Sequence, residues 1–142
     1  MITQTILTWL LGALIGSMLF FAATVAPTVF RALPAEQGGA FLRRFFPQYY
    51  LWGMLVASLC LLAALFAGNL VAMAITALVT VLFVYARQLL MPRINRARDR
   101  ELDGDTTASD EFKRLHLQSV VINGLQLLLL IGATFLAGST AG

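Results

Sequence analysis

Long hydrophobic stretches without charge dominate the chain. Residues 1–30, 45–86 and 115–142 contain no Asp, Glu, Lys or Arg. A membrane-spanning helix needs about 20 apolar residues, because the hydrocarbon core of a bilayer is about 30 Å thick. The outer stretches each hold one span, whereas the middle one has room for two and is punctuated by the turn signal Gly68-Asn69. The pattern predicts four spans, at about residues 6–30, 49–66, 70–90 and 115–137.

These spans are predicted to be helices and not the strands of a barrel. Barrel strands alternate apolar and polar residues, whereas the run from Leu59 to Phe66 is apolar throughout. A helix also satisfies all its backbone hydrogen bonds within one lipid-exposed segment. The predicted fold is therefore all-α, an integral membrane four-helix bundle that forms a single transmembrane domain over residues 1–142.

The composition excludes two other classes of protein. The chain is 59% hydrophobic and 12% charged, whereas a soluble domain is about 45–50% apolar and about 25% charged. A disordered chain needs low hydrophobicity and high net charge. Neither a soluble globule nor a disordered chain fits.

The basic residues predict the orientation in the membrane. All ten Lys and Arg lie in segments 31–44 and 87–114, which four spans place on the same side. Because basic loops stay in the cytoplasm, we expect a multi-pass protein of the cell inner (plasma) membrane with both termini outside the cytoplasm. The expected partners are the lipid bilayer and, at the basic loops, anionic lipid; no nucleic acid partner is expected.

Two connecting segments are predicted to have structure of their own. Between spans 1 and 2, aromatic residues flank Arg43 and Arg44 and predict a short amphipathic interfacial helix that begins near Pro34 or Ala35. Between spans 3 and 4 we predict a cytoplasmic helical extension that is interrupted near Pro92 and ends at Gly104, with helix 4 starting near Thr107. Three aromatic residues would mark the interface at the start of span 2: Tyr49, Tyr50 and Trp52.

Polar residues within the spans recur at helical spacing and predict a polar binding site near the cytoplasmic end of the bundle. Polar side chains at membrane depth are costly and face the bundle interior. The alternative is interhelical hydrogen bonding, which contributes about 0.6 kcal/mol per bond. The candidates are His116, Ser119, Asn123 and Gln126 in helix 4, Thr76, Thr80 and Arg87 in span 3, and Thr24, Thr28 and Arg31 in span 1.

Other features add structural expectations and few chemical ones. Pro27 removes a backbone donor within span 1, and Gly12 with Gly16 forms a GxxxG pattern that permits close helix approach. His116 is the only histidine and could transfer protons, bind a metal ion or ligate a haem. Cys60 is the only cysteine and is predicted to pack as a small apolar residue. The chain contains no catalytic motif, so an enzyme is disfavoured, and the sequence leaves any cofactor unknown.

Spaced motifs over about residues 15–127 point to a known family. They are Ala26-Pro27-Thr28-Val29-Phe30-Arg31, Phe46-Pro47-Gln48-Tyr49-Tyr50, Pro92-Arg93-Ile94-Asn95, and Leu115-His116 followed by Ser119 and Asn123. This pattern resembles the transmembrane-protein-205-like family, which implies a four-helix membrane protein of a group largely without assigned function. By looser analogy the fold is similar to copper-resistance D proteins and to the bacterial membrane protoporphyrinogen oxidase. From the latter the chain departs, because it has no histidine in its first span.

Three hypotheses about function follow. The first is a small membrane protein that binds or moves a small solute or metal ion through the polar site, as a homo-oligomer because four helices are few for a transport path. The second is a structural or assembly partner of a larger membrane complex that docks through the basic loops. The third is a haem- or porphyrin-handling protein that uses His116.

Overall fold

A computed structural model describes the backbone of residues 1–139 and the side chains of residues 1–136. Residues 140–142, which include the C-terminus that was predicted to lie outside the cytoplasm, are outside the described part. Within residues 1–139 every regular element is helical, and all four helices are long and apolar enough to cross a membrane. The predicted all-α four-helix bundle is confirmed. The helices are α1 (Ile2–Ala32), α2 (Ala35–Phe66), α3 (Leu70–Leu102) and α4 (Thr106–Ser139).

The helices pack in chain order around a main apolar core, and a smaller apolar cluster of Leu90, Ala97 and Leu115 lies between α3 and α4. Each helix contacts the next along the chain, and α4 returns to α1, so the four form a closed ring. In the part of α1 before residue 21 the buried residues are spaced by four, three and four positions, which places them on one helical face. These residues of α1 are Leu7, Leu11, Leu14 and Met18.

A tight contact between helices is made at Gly53 of α2 and not at the GxxxG pattern of α1. Gly53 lies against the ring of Phe83 in α3, and a Cβ atom built on Gly53 would lie 2.4 Å from the Phe83 Cε1 atom. Gly12 and Gly16 are exposed, and a Cβ atom on either would meet nothing within 4 Å among the described residues. The GxxxG pattern therefore does not bring helices together within this chain.

Two prolines produce local π-helical turns without ending their helices. In α1 the turn spans Phe21–Val25, and the Ala26 N–H donates to the Phe21 carbonyl five residues back. In α3 the turn spans Ala86–Leu90, directly before the Met91-Pro92 pair. A wider turn of this kind suits a position where proline removes the usual i→i−4 bond. The interruption predicted near Pro92 is thus a π-turn, and α3 continues to Leu102.

The segment predicted as a separate interfacial helix is instead the start of α2. It begins at Ala35 as predicted, but it runs through Pro47 without a break. The ring of Phe21 stacks on Phe45 and contacts Tyr49, with centroid distances of 5.2 and 4.8 Å. These contacts hold the residues on both sides of Pro47 against α1, which explains why the helix does not end there.

Tyr49 and Tyr50, predicted at the lipid interface, face inward instead. They are only 8% and 3% exposed, whereas Trp52 is 49% exposed. Successive residues of a helix point about 100° apart, and the directions of Tyr49 and Tyr50 both fall on the side of α2 that packs against the bundle. The packing face of α2 continues through small residues at helical spacing: Gly53, Ala57, Cys60 and Ala64.

A tight turn joins α3 to α4. Gly104 has a φ angle of +98°, a conformation that suits glycine because it lacks a Cβ atom. Asp105 then caps α4, because its Oδ1 atom accepts from the backbone N–H of Thr107 at 2.9 Å. Hydrogen bonds from Thr107 lower the pKa of the Asp105 carboxyl. The helix therefore starts at Thr106, one residue before the predicted Thr107.

A candidate polar site between the helices

Four polar side chains from α2 and α4 meet inside the bundle, and we call them the polar layer: Tyr49, Tyr50, Ser119 and Asn123. The Tyr49 hydroxyl donates to Asn123 Oδ1 at 3.1 Å, and the Tyr50 hydroxyl interacts with Asn123 and Ser119. Asn123 Nδ2 donates to the Ser119 carbonyl at 3.4 Å. The hydrogen bond between Tyr49 and Asn123 therefore links α2 to α4 across the bundle, as polar side chains do between membrane helices.

Gln126 lies one helical turn beyond the polar layer and is fully buried. Its Nε2 atom donates to the Val79 carbonyl of α3 at 3.3 Å. Its Oε1 atom has no hydrogen-bond partner among the described residues. A buried acceptor without a partner costs about 1–3 kcal/mol in a protein. Gln126 thus has unused capacity to accept a hydrogen bond.

The polar residues of α3 contribute differently. Thr76 is fully buried, and its hydroxyl donates to the Ala72 carbonyl of its own helix at 2.7 Å. The Thr80 hydroxyl donates to the Thr76 carbonyl at 2.8 Å. Arg87 is half-buried, and its Nε atom donates to the Pro47 carbonyl of α2 at 3.4 Å. The two threonines are therefore satisfied locally, whereas Arg87 joins α3 to α2.

Four of the predicted site residues lie outside this interior: Thr24, Thr28, Arg31 and His116 are all exposed. The inner face of α1 after its π-turn is occupied by Val29, which is buried, so the polar stripe of α1 faces outward. The ring of His116 stacks on that of Phe112 at 6.0 Å, and the Arg98 guanidinium covers the Phe112 ring at 5.3 Å. Hence the His116 ring lies away from the polar layer, although the His116 carbonyl accepts from the Ser119 hydroxyl at 2.8 Å.

A second group of polar residues forms the charged end of the bundle, where α2, α3 and α4 extend beyond their apolar portions. Arg43 of α2 holds Asp99 of α3 through two parallel hydrogen bonds of 2.6 and 2.7 Å. Arg100 of α3 pairs with Glu111 of α4. These pairs join three helices at one end. Within residues 1–136 no group of three or more His, Cys, Asp or Glu is placed to hold a metal ion.

Sequence reasoning placed Ser119, Asn123 and Gln126 on one inner face, and the structure brings them together with Tyr49 and Tyr50. The two tyrosines were missed as site residues because their position next to a span entrance indicated an interfacial role. A usable signal was present, because the small residues of α2 recur at spacings of four and three starting from Gly53, which marks an inward face that includes Tyr49. The position of Tyr49 on that face predicted that its side chain points into the bundle.

Comparison with known proteins identifies the family but not an activity. Residues 9–102 match a family described as a domain of unknown function, DUF4149. The chain belongs to this family. A relative from Aquifex aeolicus (strain VF5), described as an uncharacterized protein, is 28% identical over 123 residues that cover 87% of each chain. No solved structure matches the chain. The resemblance to the transmembrane-protein-205-like family finds no support in the names of these matches and stays a prediction.

Proposed function

We propose that this member of the DUF4149 family binds a small neutral solute rich in hydrogen-bond donors, between its helices. The site consists of the polar layer, defined above, together with Gln126. Asn123 connects the two parts, since it lies one turn from Gln126 and accepts from Tyr49. This proposal keeps the predicted polar site but moves it inward, away from the exposed His116 and Arg31.

The observation that carries the proposal is the unpartnered Oε1 atom of Gln126. The apolar side chains of Val79, whose carbonyl Gln126 contacts, and of Leu130, one turn further along α4, offer no donor. The Thr76 hydroxyl, one turn before Val79, donates to its own helix. Within a membrane no bulk water compensates an unpaired acceptor. A solute that donates an N–H or O–H to Oε1 would remove that cost, so the preferred ligand has donors and no net charge.

The orientation of the chain in the membrane and the movement of the solute through the bundle are part of the same proposal. With both arginine-bearing loops in the cytoplasm of an inner-membrane protein, the polar layer lies in the cytoplasmic half of the bundle. Self-association remains a separate prediction, favoured by the open faces at Gly12 and Gly16. A metal ion is not proposed, since the described residues offer no cluster of ligands for one.

Thermal unfolding of the purified chain in detergent tests the proposal. The probes are urea, acetamide and glycerol at millimolar concentration, where their general solvent effects are small. A ligand at 100 times its Kd adds about 2.7 kcal/mol to the unfolding free energy, so at least one probe should raise the midpoint temperature. Gln126→Leu should abolish that rise, because leucine cannot accept a hydrogen bond.

A matched control and two contrary results complete the test. Thr134→Val removes another polar group of α4, whose hydroxyl donates to Leu130 of its own helix at 2.9 Å, and it should leave the rise intact. The proposal fails if no probe stabilises the wild type. It also fails if the Gln126→Leu variant is stabilised as much as the wild type.

A further inference from the structure

A concave cleft lies at the charged end between the last turns of α3 and the first turns of α4. It has a volume of about 610 Å³, which falls within the range of about 300–1,000 Å³ that is typical of small-molecule sites. Buried Leu115 contributes to its wall at the point where α4 becomes apolar. The other lining residues are charged: Arg93, Arg96, Asp99, Arg100, Asp103, Glu111 and Arg114.

Helical spacing explains why the arginines converge. Arg93, Arg96 and Arg100 are separated by three and four positions, so their side chains leave α3 on one face. Arg114 reaches the same space from α4. The tight turn at Gly104 makes the two helices antiparallel neighbours, which brings the four guanidinium groups to one cleft.

Two of the three acidic residues of the cleft are already paired with arginines. Both carboxylate oxygens of Asp99 accept from Arg43, which lies outside the cleft lining. Glu111 pairs with Arg100. Among the described residues, Arg93, Arg96 and Arg114 have no acidic partner within 4 Å. Of the described acidic residues that line the cleft, Asp103 alone is without a basic partner. The cleft therefore holds an excess of positive charge.

We infer that this cleft is a binding site for a phosphate group. A guanidinium donates two parallel hydrogen bonds to a phosphate, and arginine is the residue of choice for this geometry. Arg93 follows the apolar part of α3 by only a few residues, so the cleft lies at the depth of the lipid headgroups. The phosphate can be carried by an anionic lipid headgroup or by a soluble phosphate compound. This site is separate from the polar layer and does not depend on the proposed solute.

Two measurements on the purified full-length chain show whether the phosphate is carried by a lipid headgroup or by a soluble compound. Native mass spectrometry compares the binding of phosphatidylglycerol and phosphatidylcholine with identical acyl chains. Thermal unfolding in lipid-free detergent compares sodium pyrophosphate with sodium chloride at equal ionic strength. Preferential retention of one phosphatidylglycerol per chain identifies a headgroup site. Stabilisation by pyrophosphate identifies a site that also takes soluble phosphate.

Charge-matched variants show whether the cleft itself is responsible. Arg96→Gln/Arg114→Gln should weaken binding of whichever probe is bound by about thirtyfold. The control Arg44→Gln/Lys113→Gln also removes two positive charges, but from exposed positions outside the cleft. It should change binding by less than about threefold. Equal losses in the two double variants would indicate diffuse attraction and overturn the inference, as would the absence of binding in both measurements.

A second variant keeps the inference testable if the glutamine variant does not fold. Arg96→Lys/Arg114→Lys retains both charges but loses the planar fork that grips two phosphate oxygens. We expect its affinity to lie between those of the wild type and the glutamine variant. An affinity equal to that of the wild type would contradict a built phosphate site.

Discussion

Gly53→Ala is expected to destabilise the bundle by about 1–3 kcal/mol, the usual cost of forcing an extra methyl group into a packed core. The added Cβ atom would lie 2.4 Å from the Phe83 Cε1 atom and 2.6 Å from its Cζ atom. Phe83 is fully buried, so its ring cannot swing away without displacing other residues. Unfolding of the purified protein by SDS titration in mixed micelles measures the change in free energy.

Two companion variants make the Gly53 result specific. Gly16→Ala should be neutral or stabilise the helix by up to about 1 kcal/mol, because alanine favours helix over glycine and nothing lies within 4 Å of the new atom. Shortening the neighbour in Gly53→Ala/Phe83→Leu should recover part of the stability lost in the single variant. If Gly53→Ala were as stable as Gly16→Ala, α2 and α3 would not approach as closely as described.

Gln126→Glu is expected to destabilise the bundle by about 2.5–3.5 kcal/mol at neutral pH, the cost of a charged side chain near the centre of a membrane helix. The two side chains have nearly the same shape, so the change isolates the charge. Gln126 is fully buried, and no cation among the described residues is hydrogen-bonded to it. Desolvation favours the neutral acid, so the loss should shrink as the pH falls and the carboxyl takes up a proton.

The control for this variant is Gln126→Leu, which removes the unpartnered acceptor and a single 3.3 Å hydrogen bond. Its stability should equal or exceed that of the wild type, because removing the unpaired acceptor also removes its desolvation cost, which offsets the lost hydrogen bond. Unfolding free energies at neutral and acidic pH measure both variants. A loss in Gln126→Glu that does not change with pH would mean that Gln126 is not in an apolar interior.

The span count and the helical nature of the chain follow from sequence because both depend on local properties. Charge-free stretches of sufficient length specify helices, and Gly68-Asn69 separates two of them. The side of α4 that points into the bundle could also be partly predicted, since Ser119, Asn123 and Gln126 recur at spacings of four and three. His116 fits the same spacing but lies at the edge of that face, and only packing against neighbouring helices decides on which side such an edge residue falls.

Contacts between distant segments could not be read from the sequence. Tyr49 and Asn123 are 74 positions apart, and their meeting depends on how four helices rotate against each other. The close approach at Gly53 has the same origin, because one glycine in a 32-residue helix carries no local signal of its partner. Proline was misleading in the opposite direction: Pro92 suggested a break in α3, yet the helix continues past it through a π-turn.

Labelling of introduced cysteines most directly tests the central claim, that the charged end with its arginine cleft faces the cytoplasm. Asp103→Cys places a thiol at the exposed turn of that end, and Leu70→Cys places one at the opposite end, where the side chain is 72% exposed. Cys60 is fully buried, so the wild type should not react. In spheroplasts of a bacterial host, a membrane-impermeant maleimide should label Leu70→Cys at once and Asp103→Cys only after lysis. Labelling of Asp103→Cys in intact spheroplasts would contradict the account.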